Sequence, residues 1–281
     1  MIFYEIKHKK THVDVDVRKD GSVNVNVNVG GMTPDASCYK HTIYVTAHLN
    51  SVTMQAALPH VFEALRHYYP YAEYCLELPY LPYARQDRRC NPGESAGAKV
   101  FANQINALGC KAVVITDPHS EVIAQLINGA QVADQAEVFG HLNFADYIIV
   151  APDLGALKKA EKFAEHTGAR GVIAFHKVRD MSTGEIVSHK MINTSGVRLV
   201  AQDKFLVLDD ICDGGRTFVG VAEQLRDALP SPIRLELAVT HGIFSYGQEV
   251  VTDVYDKVYT TNSFIPDLES NEKLTVVDFF K

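Results

Sequence analysis

The sequence lacks any Cys-x-x-Cys pair. Its five cysteines, Cys38, Cys75, Cys90, Cys110 and Cys212, are odd in number and widely spaced. That argues against a zinc site or a disulfide framework and for reduced, mostly buried thiols. The sequence also lacks any run approaching the ~18 apolar residues needed to span a bilayer. The segment Met1 to Lys10 is polar and has no apolar core, so it does not read as a signal peptide. The expectation is a cytoplasmic protein with no membrane partner. Positive charge is in short supply too. There are 34 acidic and 27 basic residues, a formal net charge of -7. A protein that coats DNA or RNA carries a basic surface, so no nucleic-acid partner is expected. A chain of this charge that binds an anion must concentrate cations locally or use a divalent metal.

What is present is ordinary globular composition. The chain has 281 residues, 47% apolar and 22% charged, enough for one large or two modest domains. The first 30 residues alternate, as in His12-Val-Asp-Val-Asp-Val and Ser22-Val-Asn-Val-Asn-Val. Period-two alternation around Lys19-Asp20-Gly21-Ser22 predicts a β-hairpin with one buried face. Strands and helices then alternate. Strands are expected at His41–Thr46, Tyr74–Leu78, Ala112–Thr116, Tyr147–Ala151, Gly171–Phe175, Lys204–Leu208 and Arg234–Thr240. Helices are expected at Val52–Tyr69, Ala96–Leu108, Gly155–His166 and Thr217–Leu229. This pattern predicts an α/β protein with two parallel sheets, the halves divided near Gly140. The polar stretch from Asp180 to Gly196 reads as a loop.

Chemistry-bearing residues gather where the strands end, which is where parallel sheets place their ligands. In Leu206-Val-Leu-Asp-Asp-Ile-Cys-Asp-Gly-Gly-Arg-Thr, an apolar strand runs into Asp209 and Asp210. Two adjacent carboxylates can hold a vicinal diol or a metal. Gly214 and Gly215 can turn backbone N–H groups towards an anion, helped by the helix N-terminus beyond. In Pro82-Tyr-Ala-Arg-Gln-Asp-Arg-Arg, Arg85, Arg88 and Arg89 could grip phosphate, although a solvated loop would read the same way. His119, in Thr116-Asp-Pro-His, is a metal ligand, a phosphate contact or a simple cap. Asp153 follows another strand. Lys177 and Arg179 are two apart and project to one side of an extended segment. Cations, carboxylates and no obvious covalent nucleophile suit phosphoryl-type transfer.

The stretches YARQDRR, TDPHS, APDLG, FHKVRD, LVLDDICDGGRT and THGIFS, in this order, resemble ribose-phosphate diphosphokinases, the phosphoribosyl pyrophosphate synthetases. The resemblance spans roughly residues 10 to 281, and related phosphoribosyltransferases share only the Asp-Asp-Gly-loop part. It implies two phosphoribosyltransferase-like domains, each a mainly parallel sheet flanked by helices, with an N-terminal β-hairpin. Residues 1–140 would be the ATP-binding half. Residues 141–281 would carry a catalytic flexible loop and the ribose-phosphate loop. The implied reaction moves the β,γ-diphosphate of ATP to the anomeric hydroxyl of ribose 5-phosphate, with Mg2+ as cofactor and AMP as the second product. Arg85 and Gln86 would touch the ATP triphosphate. His119 and Asp153 would hold the magnesium on ATP. Lys177 and Arg179 would be the catalytic loop pair. Asp209 and Asp210 would hold the ribose hydroxyls and a second magnesium. Asp213, Gly214, Gly215, Arg216 and Thr217 would cradle the 5′-phosphate. Asp20 would reach the adenine site of a neighbouring subunit in a homo-oligomer.

Several positions depart from the family pattern. The phosphate loop, usually Asp-Thr-x-Gly-Thr, reads Asp213-Gly-Gly-Arg-Thr217. Arg216 replaces a small residue, which suggests an acceptor with more phosphate, such as ADP-ribose, and a product usable for NAD synthesis. The hairpin reads Arg18-Lys-Asp-Gly-Ser22 in place of Phe-x-Asp-Gly-Glu, and the acidic residue expected five after Arg85 is Cys90. A phosphoribosyltransferase would not need FHKVRD or YARQDRR. A catalytically silent regulatory relative would usually lose Lys177, Arg179, His119 or Asp153, and all four are present.

Overall fold

The structure, a computed structural model, describes residues 1–6, 9–27, 42–179, 186–200, 202–229 and 232–278. It divides into two compact units, Met1–Ala133 and Asp134–Lys281.

In the first unit the elements are β1 (Ile2–Ile6), β2 (Lys9–Val17), β3 (Val23–Val27), β4 (Thr42–Ala47), α1 (Val52–Tyr68), β5 (Glu73–Leu78), α2 (Gly97–Ala107), β6 (Ala112–Thr116), α3 (Glu121–Leu126) and β7 (Ala130–Ala133). They build one sheet in the order β3-β2-β1-β4-β5-β6-β7. The alternating N-terminal sequence forms the expected hairpin. Val13 pairs with Val27 and Val15 with Val25, antiparallel and on one face. Val13 and Val27 are buried while Asp14 and Asp16 face solvent. Gly21, at φ 83°, supplies the left-handed turn residue that a side chain would resist.

The hairpin is not a free arm. β1 pairs antiparallel with β2 on one side and with β4 on the other. This corrects the reading of Met1 to Lys10 as polar. Ile2, Phe3 and Tyr4 are buried, so three adjacent apolar residues suffice for an inner strand. From β4 to β7 the pairing is parallel. Helix α1 begins at Ser51, whose hydroxyl accepts the Met54 N–H at 3.3 Å. Its Leu58, Val61, Phe62 and Leu65 pack into the core beside Ile43, Val45 and Leu76. Each such burial is worth about 1.5–3 kcal/mol.

The second unit holds α4 (Gln135–Phe139), β8 (Tyr147–Ala151), α5 (Leu157–Thr167), β9 (Gly171–Arg179), β10 (Ile186–Asn193), β11 (Lys204–Cys212), α6 (Arg216–Ala228), β12 (Arg234–Gly242), α7 (Glu249–Thr252), β13 (Lys257–Thr261) and β14 (Leu274–Val277). The sheet order is β10-β9-β8-β11-β12-β13-β14, with only β10 antiparallel to its neighbour among the described strands. The continuous apolar strands are explained by two covered faces. Ile148, Val150, Phe205, Val207 and Leu237 enter one core, and Ile149, Ala151, Leu206, Leu208 and Ala238 enter the other.

The loop reading of Asp180 to Gly196 needs correction. Residues 186–193 form β10, and β9 runs on past Phe175 to Arg179. β10 stands at the end of the sheet order, and its polar content hid it. Residues 180–185 lie outside the described residues. No helix among the described residues is long and apolar enough to cross a membrane.

Candidate active site

In the second unit the candidate residues collect at the carboxyl ends of β8 and β11. Pairing of β8 with β11 stops at Val207–Val150, whereas pairing with β12 continues to Cys212–Gly242. β11 therefore overhangs β8, and the overhang carries the two aspartates. Asp209 Oδ1 accepts the N–H of Asp210 at 2.9 Å. Asp210 is 4% exposed, and its Oδ2 lies 3.5 Å from Nζ of Lys159 on α5. Burial pushes the Asp209 carboxyl well above the ordinary carboxylate range, and the neighbouring Asp210 and, more weakly, Asp153 push the same way. Gln135, at the start of α4, donates from Nε2 to the Asp209 carbonyl at 2.5 Å and to Thr240 Oγ1 at 3.1 Å.

Asp153 sits just beyond β8. Its Oδ1 accepts the N–H groups of Gly155 and Ala156 at 2.9 and 3.2 Å, so it also closes the turn into α5. Past β11, Asp213 takes a hydrogen bond from the Ser245 hydroxyl, and the Ser245 N–H reaches the Asp213 carbonyl at 3.2 Å. Thr240 to Ser245 thus folds over the loop. Gly215 caps α6 in a left-handed conformation, φ 78°. A Cβ there would lie 2.8 Å from Val250 Cγ1, so only glycine fits. A Cβ on Gly214 would meet the Tyr246 ring at 2.9 Å. Arg216 and Thr217 open α6 and are exposed. Lys177 and Arg179 both belong to β9, opposite His189 and Ile186 of β10.

In the first unit Arg85 and Gln86 lie in an exposed turn between β5 and α2. Tyr83, at φ 62°, bends the chain there, and its hydroxyl donates to Gln55 Oε1 at 3.0 Å. The Gln86 carbonyl accepts the Ala98 N–H at 3.2 Å, and its side chain fills the space a Cβ on Gly97 would need. Arg89 Nε donates to the Glu94 carbonyl at 3.0 Å. Glu94 Oε2 accepts the N–H groups of Cys90 and Asn91 at 2.8 and 3.0 Å. A bond from the Asn91 side chain, helped by those two, holds the Glu94 carboxyl below its usual range. His119 is exposed between β6 and Ser120, the cap of α3. Asp20 is exposed on the hairpin turn. The Ser22 hydroxyl donates to its Oδ1 at 2.7 Å, which lowers its pKa.

The structure thus groups Asp153, Asp209 and Asp210 in one unit and places Arg85, Gln86, His119 and Asp20 in the other. Among the described residues no three His, Cys, Asp or Glu groups converge to enclose a metal ion. A closed cage is not what Mg2+ requires. It takes one or two carboxylates and keeps waters or phosphate oxygens. The Asp209/Asp210 pair has that donor chemistry. Gln135, Lys159, Ser245, Tyr246 and Glu94 join these sites without having been singled out in the sequence. Ser245 lies in THGIFS, the one signal that could have found any of them.

No family model matches the chain. Curated relatives do. A ribose-phosphate pyrophosphokinase of Corynebacterium efficiens is 28% identical over 211 residues, covering 71% of this chain and 62% of that protein. One of Sulfolobus acidocaldarius is 29% identical over 213 residues, covering 72% and 68%. The chain therefore spans about 62–68% of the length of these two relatives. Among solved structures, phosphoribosylpyrophosphate synthetase from Mycobacterium smegmatis matches with a TM-score of 0.74 at 23% identity, over 95% of this chain and 86% of that one. The resemblance carried by the motifs holds, and so does the expected fold of two mainly parallel α/β halves.

Proposed function

We propose that the chain is a ribose-phosphate diphosphokinase-type enzyme. It transfers the β,γ-diphosphate of ATP to the anomeric 1-hydroxyl of a ribose 5-phosphate-type acceptor and releases AMP. The observation that carries this reading is that the carboxylate pair at the end of β11, followed by the Gly215-capped helix start, stands on one chain with Arg85 and Gln86 beyond β5 and with Lys177 and Arg179 at the end of β9. A phosphoribosyltransferase would need the first part alone.

In this reading the 1-hydroxyl oxygen bonds to the β-phosphorus, the bond from that phosphorus to the oxygen bridging the α-phosphorus breaks, and AMP leaves with that oxygen. The hydroxyl proton goes to solvent, and no side chain is assigned as general base. Asp209 and Asp210 accept the ribose hydroxyls and orient the acceptor. The Gly214 to Thr217 backbone and the start of α6 take the 5′-phosphate. Arg85 and Gln86 bind the triphosphate. Lys177 and Arg179 stabilise charge on the transferring group. Asp209 and Asp210, with Asp153 and His119 on the ATP side, are the residues that would hold Mg2+, which supplies charge neutralisation on the phosphate oxygens. A homo-oligomer in which Asp20 completes a neighbour's adenine site, and a cytoplasmic location, belong to the same reading.

A second acceptor is favoured by one specific place. Arg216 opens a helix whose first turn has no acidic residue, and it has no ion-pair partner among the described residues. A cation at a helix N-terminus opposes the helix dipole unless an anion joins it. Beside it the Tyr246 ring covers Gly214 and is 70% exposed. A second phosphate and an aromatic base, as in ADP-ribose, would meet both. The product would be ADP-ribose 1-diphosphate, a precursor for NAD synthesis.

AMP release with ribose 5-phosphate and with ADP-ribose, each with Mg2+, tests both readings. The shared chemistry requires AMP with at least one acceptor, and Lys177→Ala should abolish it. A higher kcat/KM for ribose 5-phosphate that Arg216→Ala leaves unchanged would sink the ADP-ribose reading. No Mg2+-dependent AMP with either acceptor would refute the enzyme itself.

A further inference from the structure

Gln135 belongs to no motif of the sequence, yet it reaches the centre of the second unit's site. It is 3% exposed and begins the short helix α4. The helix is pinned by Asp134, whose Oδ1 accepts the Glu137 N–H at 3.1 Å and whose Oδ2 pairs with Lys162 of α5. So anchored, the Gln135 amide makes two hydrogen bonds, one to the Asp209 carbonyl on β11 and one to the Thr240 hydroxyl on β12. It therefore ties together two strands where β11 has outrun β8. Thr240 is itself fixed from β13, since the Thr261 hydroxyl donates to its carbonyl at 2.6 Å. The other end of the amide, Gln135 Oε1, is buried with no hydrogen-bond partner. A buried amide that leaves one acceptor unmet is a poor choice for stability alone, because an apolar side chain of the same shape would avoid that cost.

We propose that Gln135 is a positioning residue that fixes the end of β11 and so sets where Asp209 and Asp210 present their carboxylates to the acceptor. The role rests on the diphosphotransferase reading of that carboxylate pair. It predicts an acceptor-side defect. Gln135→Met keeps the length and removes the N–H donors. Thr240→Val removes the hydroxyl that receives one of them, and Thr240→Ser keeps it.

The test is steady-state AMP release by the full chain, with the better of the two acceptors, alongside thermal melting. Gln135→Met should lower kcat/KM for the acceptor by about 10- to 100-fold while the KM for ATP stays within about twofold. Thr240→Val should show part of that defect and Thr240→Ser none. The double variant should be no worse than Gln135→Met, because the bond that Thr240→Val removes is one of the two that Gln135→Met already removes. If Gln135→Met does not fold, the Val and Ser variants of Thr240 still decide the matter: equal acceptor kinetics in the two overturn the proposal. So does a Gln135→Met variant that melts lower with both KM values unchanged. A wild-type chain that releases no AMP instead overturns the reading of the site, and this role with it.

Discussion

In the first unit the candidate carboxylates are loop groups satisfied by their own chain. Asp20 takes the Ser22 hydroxyl and N–H, Glu94 takes two backbone N–H groups, and both are held below the usual carboxylate range. In the second unit Asp209 is half-buried beside the buried Asp210, and desolvation with that neighbour pushes its carboxyl up. A carboxylate whose hydrogen-bond donors favour its charged form stays ionised without a cation beside it. Two adjacent carboxyls of which one is pushed up suit a cation or a hydroxyl-rich acceptor better than they suit standing ionised side by side. The contrast separates acids that shape a loop from acids that do chemistry, and it can be attacked at both ends.

The largest effect is expected at the pair. Asp209→Ala and Asp210→Ala should each lower AMP formation by at least about 100-fold, the scale of lost transition-state positioning. Asp20→Asn, at a residue read as completing a neighbour's adenine site, should raise the KM for ATP and change kcat little in the same assay. Comparable losses at Asp20 and Asp209 would erase the distinction.

Next comes the loop beyond the pair. Gly215→Ala forces a side chain into a left-handed residue facing Val250. It should cost about 1–3 kcal/mol of stability by chemical denaturation and weaken the acceptor more than ATP. Smaller still is a pH effect. Because the folded pKa of Asp209 is raised, its linked stability is full below the unfolded value of about 3.9 and is lost as pH rises through the folded value. Asp209→Asn mimics the protonated form. In chelator it should melt a few degrees above the wild type at about pH 8, with the gain fading towards about pH 4. A variant that melts lower at high pH would mean that the pair stabilises the fold. The smallest effect belongs to Glu94→Gln, which weakens a charge-assisted loop closure and should raise the KM for ATP by about two- to fivefold.

Much of this was legible in the sequence because covered strands must be apolar. Tyr147–Ala151 and Ala112–Thr116 coincide with β8 and β6, and the valine alternation around Gly21 is a hairpin. What escaped was set by long-range contact. β10 reads as loop because polar residues interrupt it, and only pairing with β9 makes it a strand. Glu94 is a local exception: it closes a turn only three and four residues long, on Asn91 and Cys90, and an exposed glutamate in a polar loop ordinarily reads as solvated surface. Gln135 meets Asp209 across 74 residues of chain, and a glutamine at a helix start ordinarily reads as solvated surface.

The overhang of β11 also separates two kinds of rigidity. From Lys204 to Val207 the strand is flanked on both sides, by β8 and β12. From Leu208 to Cys212 it has β12 alone among the described strands. Amide hydrogens in the first stretch should exchange only through global unfolding, and those in the second through local opening at lower free energy. The carboxylate tip is therefore held by β12 and the Gln135 amide, and the sheet that bears it by strands on both sides.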